Sequence, residues 1–307
     1  MGGRSAGGAA GRAGGGPVVA FLGTGIMGAA MARNAAGAGL AVRGWSVPPS
    51  DAERLAEDGV EAFPTAAAAT AGADLVVTVV PDVKAIESFA TGADGFLPAL
   101  GEEAIWIQCA TVGVAGADRC VELAGEHGVT LVDAALLGSK VPAEEAALIM
   151  LASGEEAAID RCEPLFDAIS RRVVRLGKAG NGSRMKMVTN GWIMTTVAAT
   201  AEAMALAKTF GLDGMGFLEG IEGTALDNGY AQTKGRMILN DDYPAAMRLA
   251  NGAKDARLVT EASREAGLRG LVIGAAAELM ARAMELGGHE DQDMAAAYFA
   301  AIEPAGA

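Results

Sequence analysis

The stretch VVAFLGTGIMGAAMARN, residues 18–34, decides the fold. It joins a short apolar run to a helix-like run through Gly23, Gly25 and Gly28, which are spaced as G-x-G-x-x-G. The first glycine permits a tight turn, the second lets a pyrophosphate approach the backbone, and the third lets the helix pack closely on the strand. Because a helix N-terminus attracts phosphate, the stretch predicts a dinucleotide-binding turn.

Beyond this turn, short apolar runs alternate with helix-like stretches. Runs of this kind are DLVVTVVP, AIWIQC, TLVDAAL, ALIMLASG and RRVVRLG, at residues 74–81, 104–109, 130–136, 147–154 and 171–177. Continuous apolar strands separated by helices are typical of a parallel sheet that is covered on both faces. We therefore predict an α/β fold with an N-terminal Rossmann-type, doubly wound sheet.

Strand signals stop after Gly177, and GKAGNG at 177–182 contains the breakers expected at a boundary. We predict a dinucleotide-binding domain over residues 18–181 and an all-α domain for substrate binding and dimerisation over 182–307. Residues 1–17 are rich in glycine and lack the apolar core of a signal peptide, so we predict a disordered tail. Helices are expected near residues 183–210, 244–266, 268–286 and 291–302.

Composition narrows the class of partner. The 307 residues carry a formal net charge of −14, which disfavours nucleic acid and anionic membrane surfaces and favours a small molecule. The three cysteines form no CxxC pair, so neither a metal site nor a disulfide framework is predicted. A reducing, cytoplasmic setting fits this composition. No apolar run reaches the roughly 18 residues that a membrane helix needs.

Many proteins with a dinucleotide-binding turn transfer hydride to a carbonyl group. That reaction also needs a proton donor. The two histidines, His127 and His289, lie in predicted turns and are interpreted as solvated surface residues. Lys186 and Asn190 in SRMKMVTNGW, residues 183–192, are four apart and therefore share one face of a helix. We expect this face to line the cleft, although a solvated helix lysine is the alternative. Arg184 projects from nearly the opposite side.

The end of the second predicted strand indicates which nicotinamide cofactor binds. An acid there favours NAD and an arginine favours NADP, but the sequence reads GWSVPP with Ser46 and Val47. Ser46 is able to donate to a 2′-phosphate, and no carboxylate repels one. This pattern favours NADP slightly over NAD.

Four motifs occur in the order found in one known family. With GTGIMGAAMARN, VVPD, DAALLGSKVPAE and GNGSRMKMVTN, the chain resembles the β-hydroxyacid dehydrogenases from residue 18 to about 302. GSK-x-PAE at 138–144 and GNG-x-x-MK-x-V-x-N at 180–190 are most similar to the glyoxylate and succinic semialdehyde reductases. 3-Hydroxyisobutyrate dehydrogenases are further relatives.

The resemblance implies roles for particular residues. Lys186 corresponds to the general acid/base, and Asn190 to the residue that helps to place it and the substrate. The predicted cofactor-binding residues, from the glycine turn, the strand ends and a late Lys-Asp pair, are Gly23, Gly25, Ile26, Met27, Gly28, Ser46, Val80, Pro81, Thr111 and Lys254. The predicted substrate-binding residues are Leu137, Gly138, Ser139 and Asn190.

Some positions depart from the family pattern. Leu137 replaces a serine at the substrate-binding turn, and Ala135 and Ala110 replace a proline and a serine. A lost hydrogen bond to a charged group costs about 1.5–3 kcal/mol. We therefore predict a substrate that is less polar than glyoxylate. The alternative is that the amides of Gly138 and Ser139 still hold a small acid.

Three functions are consistent with these residues. The first is an NAD(P)H-dependent oxidoreductase that acts on an aldehyde or a β-hydroxyacid. The second is an imine reductase-like enzyme, although retention of Lys186 favours carbonyl chemistry. The third is a non-catalytic dinucleotide-binding or sensing protein.

The helical half carries two further expectations. Asn228, Tyr230 and Gln232 are candidates to line the substrate pocket from that side. Apolar stripes such as LVIGAAAELMARAMELG, residues 271–287, predict a homodimer.

Overall fold

The computed structural model describes residues 16–302. The tail predicted over residues 1–17 therefore lies, apart from residues 16 and 17, outside the described part of the chain. One eight-stranded sheet forms the N-terminal half. Its strands are β1 Val18–Leu22, β2 Ala41–Trp45, β3 Val60–Ala62, β4 Leu75–Thr78, β5 Ile105–Gln108, β6 Thr130–Leu137, β7 Leu148–Ser153 and β8 Ser170–Arg175.

Helices cover the sheet and build the C-terminal half. None of those in residues 16–302 is long and apolar enough to cross a membrane. They are α1 Ile26–Gly37, α2 Ser50–Glu53, α3 Ala66–Thr70, α4 Val83–Ala90, α5 Gly113–His127, α6 Lys140–Glu144, α7 Glu156–Arg161, α8 Glu163–Ile169, α9 Asn181–Thr209, α10 Met215–Ile221, α11 Gly229–Asn240, α12 Leu249–Glu265, α13 Leu271–Leu286 and α14 Tyr298–Ala301. Short 3₁₀ helices lie at Ala56–Asp58, Leu97–Ala99 and Met294–Ala297.

The strand order is β3-β2-β1-β4-β5-β6-β7-β8. The chain winds outward in both directions from β1 and β4, so the predicted doubly wound, Rossmann-type sheet is confirmed. One pairing differs from the expected parallel pattern, because β6 and β7 are antiparallel. Residues 138–147 join these strands, and this link is shorter than the dozen or more residues that a parallel crossover needs.

Both faces of the sheet are buried. On β1, Val19 and Phe21 face the core that contains α1 and α8. Ala20 and Leu22 face the opposite core, which contains Trp106. This double burial explains why the strands read as continuous apolar runs in the sequence.

The helical half is built around α9. Met194 and Val197 on this helix are buried in the core that it shares with α11, α12 and α13. Helices α10 and α11 were not predicted. The sequence around α10, GLDGMGFLEGIEG at 211–223, is rich in glycine, the weakest helix former after proline. The helix predicted from residue 244 begins at Leu249.

The start of α9 is fixed against β6 and β7. The carboxylate of Asp133 on β6 accepts hydrogen bonds of 2.7 Å from both the backbone N and the Oγ of Ser183. Ser153 on β7 accepts from the N of Gly182 at 2.8 Å. Burial raises the pKa of Asp133, and the bonds from Ser183 and Ser153 oppose that rise. A carboxylate at the N-terminus of a helix also suits the helix dipole, so the direction of α9 is set here.

Candidate active site

The glycine turn lies between β1 and α1, and each of its glycines has a separate spatial reason. Gly23 has φ +100°, and a Cβ there would meet the O of Val79 at 2.3 Å. A Cβ on Gly28 would meet the O of Gly23 at 2.0 Å. A Cβ on Gly25 would meet nothing within 4 Å, so the backbone faces open space at this position. This is the side from which a ligand approaches.

The N-terminus of α1 suits an anionic ligand. Gly25 is its N-cap residue, and no side chain of the described chain caps it. The first bond of the helix runs from the N of Ala29 to the O of Gly25, which leaves the amides of Ile26 and Met27 free for a phosphate. Thr24 Oγ1 is buried without a hydrogen-bond partner among the described residues. The turn therefore fits the pyrophosphate of a nicotinamide dinucleotide.

A cleft of about 230 Å³ opens next to this turn, at the carboxyl ends of β1, β4, β5 and β6. This is the switch point of the sheet, where doubly wound folds bind their ligands. Its charged lining residues are three cations and one acid, Lys186, Arg248, Lys254 and Asp255. The rest of the lining consists of Ile26, Met27, Val79, Val80, Pro81, Cys109, Ala110, Thr111, Leu136, Gly138, Ser139, Ala245, Ala246, Met247 and Asn251.

The predicted Lys-Asn pair belongs to a network beside this cleft. Lys186 Nζ donates to the backbone O of Leu136 at 2.7 Å. One turn along α9, Asn190 Nδ2 donates to Asp255 Oδ2 at 2.8 Å. Asp255 Oδ1 is buried, accepts no hydrogen bond of good geometry within residues 16–302, and lies 3.2 Å from Lys254 Nζ. The buried carboxylate of Asp255 thus contacts the amide of Asn190 and the ammonium of Lys254.

The surroundings of Lys186 change its pKa. Burial lowers the pKa below the ordinary lysine value, and the positive charge of Lys254 lowers it further. The negative charge of Asp255 acts in the opposite direction. Desolvation has the largest effect, because the surrounding protein disfavours the charged form. Such a lysine releases its proton more readily than a solvated one.

Lys254 connects the helical half to the sheet. Its Nζ donates to the O of Pro81 at 2.9 Å and to the O of Thr111 at 3.2 Å. These two residues follow β4 and β5, so one side chain on α12 holds both strand ends. The structure therefore brings Pro81, Thr111 and Lys254 together at one edge of the cleft.

Apart from the three glycines of the turn, three predicted site residues do not line the cleft. Ser46 is buried at the end of β2, where its Oγ accepts from the N of Thr24 at 3.3 Å. Leu137 is partly buried and pairs with Ile149, whereas the preceding Leu136 lines the cleft. Asn190 reaches the cleft only through its bond to Asp255. The roles assigned to these residues remain predictions.

Neither histidine lies in the cleft. His127 is exposed at the end of α5. His289 is half-buried rather than solvated, because its ring stacks on Phe299 with centroids 4.1 Å apart. No group of three or more His, Cys, Asp or Glu side chains in residues 16–302 is arranged to hold a metal ion.

The candidates from the helical half lie elsewhere. Asn228 caps α11 by accepting from the N of Tyr230 at 2.8 Å. Gln232 donates to the O of Leu218 at 2.9 Å. Within one copy of the chain, the helical half instead lines the cleft through Lys186 on α9, residues 245–248 and α12.

Residues 245–248 were missed by sequence reasoning. They read AAMR, which matches no motif, and they lie at the start of the helix predicted over residues 244–266. The only sequence signal was their position, six to nine residues or about two helical turns before Lys254. Cys109 was also missed, because a lone buried cysteine is ordinarily part of a core.

Comparisons with known proteins agree with this geometry. Residues 18–177 match the family described as the NAD binding domain of 6-phosphogluconate dehydrogenase. Residues 180–300 match the family described as the NAD-binding domain of NADP-dependent 3-hydroxyisobutyrate dehydrogenase. The chain belongs to the β-hydroxyacid dehydrogenase family, and the family indicated by the sequence motifs is confirmed. It is an NAD(P)-dependent oxidoreductase.

Individual relatives cover most of the chain. It is 30% identical over 269 residues to glyoxylate/succinic semialdehyde reductase 1 of Arabidopsis thaliana. The aligned region covers 88% of this chain and 93% of the relative. It is 33% identical over 205 residues to a probable 3-hydroxyisobutyrate dehydrogenase of Mycobacterium tuberculosis, covering 67% of this chain and 69% of the relative.

Solved structures show the same fold. The 3-hydroxyisobutyrate dehydrogenase of Mycobacterium tuberculosis with L-serine superposes with a TM-score of 0.84 at 28% identity, covering 92% of this chain and 98% of that chain. An imine reductase from Myxococcus stipitatus in complex with NADP+ gives a TM-score of 0.64 at 18% identity, covering 92% and 98%. The second likeness concerns the fold alone.

Proposed function

We propose that the protein transfers hydride between a nicotinamide dinucleotide and a carbonyl or alcohol substrate, with Lys186 as general acid/base. One observation carries this proposal. The Lys186 ammonium lines the cleft beside the glycine turn, and burial lowers its pKa. When bound, the reduced nicotinamide supplies the hydride, and the chain has to supply the proton.

The network around Lys186 supports proton transfer in both directions. Its bond to the O of Leu136 aims the ammonium at the end of β6, next to the Gly138–Ser139 turn. In reduction, the protonated amine donates to the developing alkoxide. In oxidation, the neutral amine takes the proton from the alcohol. The bond from Asn190 to Asp255 ties the helix face that carries Lys186 to α12, and the negative charge of Asp255 raises the pKa of Lys186.

The lining of the cleft supports a substrate that is less polar than glyoxylate. Ala110, Leu136, Ala246 and Met247 offer alkyl surface to a ligand, and an alkyl group gains free energy when it leaves water. Ser139 is the hydroxyl that remains near the turn. We propose an aldehyde or β-hydroxyacid that carries an apolar portion.

Steady-state reduction rates test this function. We expect NADPH or NADH oxidation with aldehydes, and a higher kcat/KM for larger aldehydes than for glyoxylate. Glyoxylate as the best substrate would contradict the less polar pocket. Tight dinucleotide binding without turnover across the aldehyde panel would favour a sensing role and contradict the enzyme.

We also propose a preference for NADP over NAD. Ser46 is buried against the glycine turn, so its hydroxyl is a weaker argument for NADP than its position in the sequence indicated. The support comes from residues 46–50, SVPPS, which contain no carboxylate to repel a 2′-phosphate.

We propose that the protein acts as a homodimer. An apolar groove of about 1010 Å³ runs beside α9, and its exposed apolar side chains are Val188, Trp192, Leu268, Leu271 and Val272. Contiguous apolar surface of this kind marks protein interfaces. The N-terminal part of the stripe at 271–287 contributes to it. A second copy of the chain is the proposed partner.

A further inference from the structure

A buried ion pair lies outside the proposed catalytic network. Lys234 on α11 and Asp293 near the C-terminus have side chains only 2% and 0% exposed. Lys234 Nζ donates to Asp293 Oδ1 at 2.7 Å. The ammonium also lies 5.0 Å from the centre of the Tyr230 ring, a distance typical of a cation–π contact.

The carboxylate of Asp293 binds the backbone of the segment that lines the cleft. Its Oδ2 accepts from the N of Ala246 at 3.1 Å and from the N of Met247 at 3.3 Å. Its Oδ1 accepts from the N of Ala295 at 3.0 Å. One side chain thus satisfies three amides in addition to the lysine.

Backbone pairing strengthens this connection. Asp293 forms an isolated β-bridge with Arg248. The N of Met294 donates to the O of Met247 at 2.9 Å, and the N of Asp293 donates to the O of Tyr243 at 3.0 Å. Residues 241–248 form no helix or strand of their own, so these bonds define their path.

Stability alone does not explain a buried ion pair. Taking two charges out of water costs free energy that their attraction roughly offsets, and an apolar pair of similar volume often serves as well. An apolar residue at 293, however, offers no acceptor to the amides of Ala246 and Met247. The carboxylate is needed for the shape of the segment, and the lysine balances its charge.

We propose that the Lys234–Asp293 pair is a positioning device, which holds residues 245–248 against the cleft and so determines how well the substrate binds. This inference rests on the proposed function, since residues 245–248 lie across the same cleft as Lys186. The pair contacts neither Lys186 nor the glycine turn. Its loss therefore changes KM for the carbonyl substrate more than kcat or dinucleotide affinity.

Two double variants test the proposal. Lys234→Met/Asp293→Leu replaces the pair with apolar side chains and removes the acceptor. We expect faster hydrogen exchange in the peptide that covers residues 241–248, a KM raised about tenfold, and kcat within about threefold. Lys234→Met/Asp293→Asn keeps one acceptor oxygen, and we expect its KM to return to within about threefold of the original.

Val197→Ala is the matched control, because Val197 is buried in the same helical core on α9. It is expected to lower the unfolding midpoint without changing KM or the exchange at 241–248. Equal KM values in both double variants, or wild-type exchange in the apolar variant, would overturn the proposal. If the apolar pair prevents folding, exchange in the unmodified protein decides, and exchange of the peptide that covers residues 241–248 as fast as that of an unstructured peptide would contradict the positioning role.

The exchange measurement needs no turnover. If the unmodified protein reduces no carbonyl compound, the proposed function fails. Exchange at 241–248 still shows whether the ion pair holds the segment.

Discussion

Lys186 lies at a place where the protein disfavours the charged form of its amine. Burial and Lys254 lower its pKa, while Asp255 raises it. A general acid works best when its pKa lies near the working pH, so these opposing effects suit the proposed role of the lysine in proton transfer. The carboxylate of Asp255 limits how far the pKa falls.

The pH dependence of the reaction follows from this balance. In the proposed mechanism reduction needs protonated Lys186, so we expect the rate to be full below the pKa of Lys186 and to fall as the pH rises through it. Asp255→Asn removes the charge that raises this pKa, so we expect the alkaline limb of the kcat profile to move to lower pH. Rates of reduction measured across pH at saturating cofactor check the shift.

Lys254→Met should shift the pH profile in the direction opposite to Asp255→Asn. It removes a positive charge that lowers the pKa of Lys186, so the alkaline limb should move to higher pH. Limbs that move in the same direction in both variants, or that do not move, would contradict the role of Lys186 as the titrating group.

Spacing in the sequence predicted part of this site. The four-residue interval between Lys186 and Asn190 correctly indicated a shared helix face. It gave no indication that Asn190 donates to Asp255, which is 65 residues away. The resemblance to the family predicts Leu137 at the substrate, and this stays a prediction, since Leu136 lines the cleft in the described chain. Which of two adjacent strand residues faces a cleft depends on the register of the sheet.

At the scale of the elements, the first turn of α9 is packed tightly against the sheet. A Cβ on Gly182 would meet the O of Leu151 at 2.2 Å and the O of Asp133 at 2.6 Å. The helix touches the sheet here, one turn before Lys186. A larger residue has to move either the sheet or the helix.

Gly182→Ala is therefore expected to lower the free energy of unfolding by about 1–3 kcal/mol or more. It should also lower kcat, because α9 carries Lys186. Chemical denaturation and steady-state kinetics measure the two effects.

The control for this substitution is Gly220→Ala, also in a helix. A Cβ at Gly220 would meet nothing within 4 Å. We expect it to leave kcat unchanged and to raise the free energy of unfolding by about 0.4–1 kcal/mol. A Gly182→Ala protein as stable and active as this control would show that the contact is not tight.

The elements themselves were predictable where the pattern was long and apolar. Strands β4 to β8 and the helices α9 and α13 follow their predicted ranges closely. The antiparallel direction of β7 was not predicted, because strand direction depends on the length of the connection and not on composition. Helices α10 and α11 are stabilised by packing against α9. The helix propensity of the local sequence gives no information about such packing.

At the scale of the whole molecule, charge and apolar surface have separate places. The chain carries a net charge of −14, yet the cleft is lined by three cations and one acid. Such a cleft attracts an anionic dinucleotide. The apolar groove lies on another side of α9, where Trp192 is 69% exposed. One helix thus serves both the site and the proposed dimer surface.

Trp192→Asp should convert the proposed dimer to a monomer, because a carboxylate in the groove is not solvated once the surface is covered. Sedimentation velocity measures the change. Leu226→Asp alters an exposed apolar residue outside the groove and should leave the dimer intact. A monomeric unmodified protein, or a Trp192→Asp protein that remains dimeric, would contradict this interface.

The most direct test of the central claim is the turnover of Lys186→Ala beside that of Arg184→Ala. Arg184 is a cation in the same turn of α9, but it pairs with Asp118 at 2.9 Å. We expect Lys186→Ala to lower kcat by about 10²–10⁴-fold with dinucleotide affinity unchanged, and Arg184→Ala to keep kcat within about twofold. Retention of kcat by Lys186→Ala would contradict its role as general acid/base.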